Sequence, residues 1–244
     1  MENIRTLSII VPVSEETVSR LDNLHRWWLE LLQSPQLPTT PELILALDDR
    51  ESTVRALEAS QFAGAEDDIS WIKVFGPRGR GRQMNKGAEA ATGDILLFLH
   101  CDTRLEEGWL EALKNIPDLR WGACTAAIDE AGVLYRLAEN FGGWRTEFLG
   151  LPYGDQAIFL TRGLFEKLGG YSEEPSFMED LEFASRLNKE AGKPVIIAAR
   201  AFTSARGWKA EGAFSEPRRS LKNLLALTAF LLGVDREKIR IWYQ

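Results

Sequence analysis

Apolar and polar positions alternate along the chain in two periods. Leu7-Ser8-Ile9-Ile10-Val11-Pro12-Val13 is a β-branched apolar run that closes at a proline, the pattern of a buried strand ending at a loop. From about Thr17 to Leu32 the period lengthens. Val18, Leu21, Leu24, Trp28, Leu31 and Leu32 fall on one stripe, which predicts a helix broken by Pro35, Pro38 and Pro41. A second buried strand is predicted over Leu43–Leu47, stopping at Asp48-Asp49, then a short helix over Ser52–Ala59 and a third strand over Trp71–Phe75. Gly76-Pro77-Arg78-Gly79-Arg80-Gly81-Arg82 reads as a loop, followed by a helix over Gln83–Ala91 that Gly93 closes from the C′ position. Asp94-Ile95-Leu96-Leu97-Phe98-Leu99-His100-Cys101-Asp102-Thr103 is then an apolar strand running into a His-x-Asp pair. On a strand, residues two apart share a face, so His100 and Asp102 are expected to converge.

The second half is less regular. Strands are predicted over Trp121–Ile128, Ala157–Thr161 and Val195–Ala199. Helices are predicted over Val133–Phe148, weakened by Gly142-Gly143, and over Leu164–Leu168, Met178–Ala191, Ser220–Gly233 and Glu237–Tyr243. The alternation of strand and helix in the first half means an α/β fold with a mostly parallel central sheet and helices on both faces. Ligands of such sheets sit at the carboxyl ends of the strands, where this sequence places Glu15, Asp48, Asp49, His100 and Asp102. No repeat or low-complexity linker divides the 244 residues, so one domain is expected.

Composition narrows the reading. A 45% apolar and 27% charged chain is an ordinary globular one, and a net charge of −7 disfavours indiscriminate nucleic-acid binding. Cys101 and Cys124 form neither a zinc spacing nor a disulfide framework, which fits a reducing compartment. Met1–Thr6 lacks the parts of a secretory leader, so a cytoplasmic protein is expected. Leu224–Val234 is shorter than the roughly 20 residues that a membrane span takes. With Arg218, Arg219 and Lys222 before it, the 218–234 stretch is either a core helix or a peripheral contact at the inner face of a membrane.

Four groups of residues could carry chemistry. The basic glycine loop, with Arg78, Arg80 and Arg82, suits phosphate, although it has neither the Lys-Ser/Thr of a P-loop nor the third glycine of a dinucleotide fingerprint. Asp102 suits Mg²⁺ or Mn²⁺; His100 is either a second ligand or a strand-end hydrogen-bonding group. Ser176-x-x-Glu179 has capping-box spacing. Asp180 lies on the same helical stripe as Phe183, Ala184 and Leu187, where a carboxylate needs a use, either as general base or in a salt bridge to Arg145 or Arg206. Trp208 sits in a polar loop, where it either stacks on a ligand ring or packs.

Taken together, Ser8 to Val13, Asp48, Arg80-Gly81-Arg82-Gln83-Met84-Asn85-Lys86-Gly87, Leu97-Phe98-Leu99-His100-Cys101-Asp102-Thr103, Pro152-Tyr153-Gly154-Asp155-Gln156 and Met178-Glu179-Asp180 resemble the motifs of family 2 glycosyltransferases with the GT-A fold. The chain is especially similar to the radical-SAM/selenodomain-associated transferase subgroup, over roughly residues 6 to 235. The resemblance implies a single GT-A domain, with 1–103 as the nucleotide-binding half and 104–244 as the acceptor half. It implies sugar transfer from a nucleotide-diphosphate sugar to an acceptor hydroxyl, metal-assisted and inverting. On the same basis Pro12, Val13, Glu15, Asp48, Arg82 and Asp155 are nucleotide-sugar contacts, Asp102 with His100 holds Mg²⁺ or Mn²⁺, and Asp180 is the base. His100 stands in the first position of the DxD pattern. The competing readings are a sugar-phosphate nucleotidyltransferase, which usually has a glycine-rich loop after the first strand where this chain has Pro12-Val13-Ser14-Glu15, and a non-catalytic nucleotide-binding module.

Overall fold

Strand β1 (Leu7–Val13) is buried along its whole length, and its alternation divides the protein into two cores. Leu7, Ile9, Val11 and Val13 face one core and Ile10 the other, because successive strand side chains point to opposite faces. The first core is completed by α1 (Leu21–Leu32), which contributes Leu21, Leu24 and Trp28, by Leu57 of α2 (Glu51–Glu58), and by Trp109, Leu110 and Leu113 of α4 (Trp109–Lys114). The second is built on Met84 and Ala88 of α3 (Arg80–Ala90), on Leu164 and Phe165 of α6 (Arg162–Leu168), and on Leu181, Phe183, Ala184 and Leu187 of α7 (Glu179–Ala191). The computed structural model describes residues 6–32, 41–60, 71–173, 177–204 and 215–243.

Between the two cores runs one sheet of eight strands, in the order β3-β2-β1-β4-β7-β6-β8-β5. Its members are β2 (Glu42–Asp48), β3 (Trp71–Gly76), β4 (Ile95–Phe98), β5 (Thr103–Leu105), β6 (Trp121–Ile128), β7 (Phe159–Thr161) and β8 (Val195–Thr203), besides β1. β3, β2, β1 and β4 are parallel throughout, so their carboxyl ends open on one edge. β7 runs against both β4 and β6, and β5 against β8, so the second half is mixed rather than parallel. α5 (Val133–Trp144), α8 (Ser215–Leu231) and α9 (Arg236–Tyr243) flank that half. Among the described residues no helix is long and apolar enough to cross a membrane.

Several local expectations need correction. β4 stops at Phe98; His100, Cys101 and Asp102 lie in a turn closed by Thr103 N–H donating to the His100 carbonyl at 3.0 Å. His100 and Asp102 therefore do not share a strand face. The α5 region becomes one π-helical turn at Arg145–Leu149, where Thr146 Oγ1 donates back to the Gly142 carbonyl at 2.9 Å. Gly93 does not close α3, whose C-cap is Ala91. Its hydrogen is needed elsewhere, since a Cβ there would fall 2.6 Å from the backbone nitrogen and Oγ of Ser8. α7 starts at Glu179, with Met178 at its N-cap in a left-handed conformation, and Glu179 spends its carboxylate on Arg80. Ser176, Arg206 and Trp208 lie outside the described residues.

Candidate active site

The open edge of the parallel strands forms one wall of a cleft of about 1450 Å³. β1 delivers Pro12 and Ser14 to it, and the 3₁₀ turn Glu15–Arg20 delivers Thr17 and Arg20. β3 leads through the glycine loop, which delivers Arg78 and Gly79, into α3, whose first turns place Arg80 and Gln83 there. Gln83 fixes that geometry by donating from Nε2 to the carbonyls of Val13 (2.6 Å) and Ala46 (2.9 Å), tying α3 across the ends of β1 and β2. Two buried carbonyls are thereby satisfied by one amide.

The turn after β4 adds His100, Cys101 and Asp102. Asp102 accepts from Arg20 NH1 at 2.7 Å. The His100 imidazole is held neutral: burial, and then the nearby Arg80 charge, push its pKa down to about 4. Cys101 is buried and its thiol is pushed up to about 11, mainly by burial, while the Cys124 thiol rises to about 12 from burial alone, so neither offers a thiolate.

Opposite these groups, the N-terminus of α7 presents Asp180. One carboxylate oxygen accepts from the Gly154 N–H and the other from the Leu181 N–H, both at 2.8 Å. The salt bridge to Arg145 that sequence allowed is not formed. Arg145 is buried, donating instead to the Leu151 carbonyl (2.7 Å) and Gln156 Oε1 (2.8 Å), with its guanidinium 3.3 Å from the Tyr153 ring centre. Gly154 is the contact point of the two walls: a Cβ there would lie 2.7 Å from His100 Nε2 and 3.5 Å from Asp180 Oδ2. Asp155 lines the cleft beside them, with burial pushing its carboxyl pKa up against the pull of Arg145. Arg80 bridges the walls, donating from Nε to the buried Glu179, whose other oxygen has no hydrogen-bond partner.

The residues expected from sequence thus divide. Pro12, His100, Asp102, Asp155 and Asp180 all line the cleft. Val13 is core, and only its carbonyl is engaged, by Gln83. Glu15 stands 3.7 Å from Arg50, away from the cleft lining. Asp48 is fully buried, accepts from Arg50 (2.8 and 3.1 Å) and from Thr53 Oγ1 (2.5 Å), and does not line the cleft. Arg82 does not line the cleft, whereas Arg80, two residues earlier on the same helix, does. Gln83 and Tyr153 stand in motifs that the sequence shows but carry no assigned role there, and Arg20 stands in none. The S-x-x-x-x-x-R distance from Ser14 to Arg20 carries no recognisable motif, and only the 3₁₀ turn brings Arg20 to Asp102.

Residues 8–117 match the model of Glycosyl transferase family 2. Among solved structures, the mannosyltransferase PcManGT from Pyrobaculum calidifontis in complex with GDP-Man and Mn²⁺ superposes with a TM-score of 0.62 at 15% identity, covering 95% of this chain and 65% of that one. S. aureus TarS 1-349 gives 0.58 at 15%, covering 91% and 64%. Mannosyl-3-phosphoglycerate synthase from Rubrobacter xylanophilus gives 0.54 at 14%, covering 94% and 75%. The fold is that of the GT-A nucleotide-sugar transferases. This chain spans about two thirds of the length of the first two. No curated protein matches it in sequence.

Among the described residues, no three His, Cys, Asp or Glu side chains come together as a cation site. Asp102 and neutral His100 supply at most two protein ligands, and Asp102 already faces Arg20. This donor set fits a cation that arrives with a diphosphate supplying most of its oxygens, as Mg²⁺ and Mn²⁺ commonly do.

Proposed function

We propose that this chain transfers a sugar from a nucleotide-diphosphate donor to an acceptor hydroxyl, with inversion at the anomeric carbon. The observation that carries the reading is the arrangement of one cleft. Arginines 20, 78 and 80 lie along the strand-end wall, and a carboxylate, Asp180, held by two backbone N–H groups, lies on the facing wall. PcManGT in complex with GDP-Man and the complex of S. aureus TarS 1-349 with UDP-GlcNAc support a nucleotide sugar as donor. The match of residues 8–117 to Glycosyl transferase family 2 supports the class of reaction.

In the transition state, positive charge develops on the sugar ring and negative charge on the departing diphosphate. Arg80 and Arg20 are preorganised for the second of these, each held by a carboxylate before the donor arrives. Asp180 accepts the proton of the acceptor hydroxyl as that oxygen bonds to the anomeric carbon; because it approaches from the wall opposite the diphosphate, the geometry favours inversion. Neutral His100 is available as a hydrogen-bond donor or metal ligand. A divalent cation, held by Asp102 and His100 together with the diphosphate, would supply further neutralisation of the leaving group. The nucleotidyltransferase reading loses support, because Pro12 and Ser14 occupy the β1 end where a glycine-rich phosphate loop would be needed.

Asp180→Asn is the direct test. Transfer from the donor identified in a nucleotide-sugar panel should fall by about 10²- to 10⁴-fold with donor binding retained. Wild-type turnover in that variant would remove Asp180 as base.

A further inference from the structure

The half of the cleft built by β6, α5, α8 and α9 carries a few polar groups, Glu139, Asn223 and Arg240 among them, set in a mainly apolar lining. Beyond Asp180 its wall is made by Ala126, Ala127 and Ile128 of β6, Leu134, Leu137 and Phe141 of α5, and Leu221 and Leu224 of α8. The cleft's volume of about 1450 Å³ exceeds the roughly 300–1,000 Å³ of an ordinary small-ligand pocket, so it has room for a second ligand beside the donor.

The apolar wall does not stop at the cleft mouth. On α5 and the π-helical turn that continues it, Val133, Leu137, Phe141, Trp144 and Phe148 recur at intervals of three or four residues, which is one helical stripe, and they are 77%, 58%, 37%, 48% and 56% exposed. Phe141, Trp144 and Phe148 form a continuous aromatic ladder, with successive ring centres 5.9 Å apart. α8 and the turn after it expose Leu221, Leu224, Leu225, Leu231 and Leu232 beside it, and α9 exposes Ile241 and Trp242. With α5 touching α8 and α8 touching α9, so many exposed apolar side chains mark a binding surface rather than ordinary scatter.

Leu137 and Phe141 belong to both surfaces, lining the cleft and facing solvent. The apolar face is therefore an extension of the acceptor end of the site, which a protein partner seated outside the cleft would not require. The exposed tryptophan in the middle of the ladder, Trp144, suits the boundary between hydrocarbon and water.

Resting on the transferase reading above, we infer that the acceptor is a membrane lipid. Its hydroxyl-bearing head enters the cleft toward Asp180, its hydrocarbon chain follows the stripe of α5, and the α5–α8–α9 face lies against the bilayer that holds it. The anchor is thus wider than the 218–234 stretch alone, and it points the cleft mouth at the lipid surface.

Phosphatidylcholine vesicles brominated in their acyl chains test this through tryptophan fluorescence. The expected result is quenching of the wild-type protein that is reduced in Trp144→Phe, a variant that keeps the stripe apolar, and vesicle co-sedimentation lost in Val133→Glu/Trp144→Glu. No quenching of the wild type, or quenching undiminished in Trp144→Phe, overturns the inference. So does a stable dimer of this chain that hides Trp144 from the vesicles. Nucleotide-sugar thermal shifts measured on the same wild-type sample separate the two readings: their absence defeats the transferase reading, while absence of quenching defeats only the lipid acceptor.

Discussion

A single hydrogen at Gly154 lets the two walls of the cleft meet. Its N–H fixes one oxygen of Asp180 and its Cα faces the His100 ring. Its φ is not in the left-handed region, so alanine meets no backbone strain, only the imidazole 2.7 Å away. Gly154→Ala should therefore displace His100 or Asp180 and lower kcat by roughly 10- to 100-fold, as misplacing a reacting group by about 1 Å does. The thermal midpoint should move little, and steady-state kinetics alongside a melting curve would show the split. Asp48 should behave in the opposite way. Although burial works against its charge, the bonds from Arg50 and Thr53 prevail and hold its carboxyl below the usual value of 3.8. An acid with a depressed folded pKa contributes stability that is complete above its unfolded pKa and lost as pH falls through the folded one. Asp48→Asn should cost on the order of 2–3 kcal/mol at neutral pH, and its stability should fall less steeply than that of wild type below about pH 4. Denaturant titrations across that range would reveal it.

At the scale of elements, the first four strands, α3 and β6 were legible because each carries an uninterrupted run or stripe bounded by Gly, Pro or Asp. β5 and α4 were not, since three residues and six residues are too few to show a period. The turn at His100 was hidden for a different reason: Leu99 is apolar, buried and still bonded to Ile10, so the sequence looks like strand one residue past Phe98. Long-range ties were equally invisible. Arg162, at the start of α6, donates to the Gly93 carbonyl at 2.6 and 3.0 Å and also to the Ala91 carbonyl, joining the end of α3 to the antiparallel strand β7. It satisfies the carbonyl of Ala91, the cap that ends α3, and that of Gly93 in the link to β4. Arg162→Ala should cost about 1.5–3 kcal/mol, which for a chain of this size is a fall in Tm of roughly 5–10 °C. Arg162→Lys, with one compact cation in place of a fork, should recover only part of it in the same calorimetric measurement.

For the whole molecule, the decisive property is that the cleft's charged groups pair with one another, along the strand-end wall and, at Arg80, across to the facing one. Arg20 faces Asp102 and Arg80 faces Glu179, so in the absence of donor the arginines and carboxylates neutralise each other. A free divalent cation must then compete with Arg20 for Asp102 and finds no cluster of three protein ligands among the described residues. On the proposed reading a nucleotide diphosphate would alter both conditions: its oxygens would draw the arginines and complete the cation's coordination shell, so that cation and nucleotide binding would be cooperative. Ligand binding to the folded state alone stabilises it by about 2.7 kcal/mol at a hundredfold excess over Kd, or roughly 5–10 °C in Tm for a domain of this size. Mn²⁺ alone should therefore leave the melting temperature unchanged, a nucleoside diphosphate alone should raise it modestly, and the two together should raise it by more than their sum. Arg20→Ala frees Asp102 and should let Mn²⁺ alone produce a measurable shift. If Mn²⁺ raised the wild-type Tm as strongly without nucleotide as with it, the cation site would be a property of the protein alone and the coupling argued from the Arg20–Asp102 pair would fail.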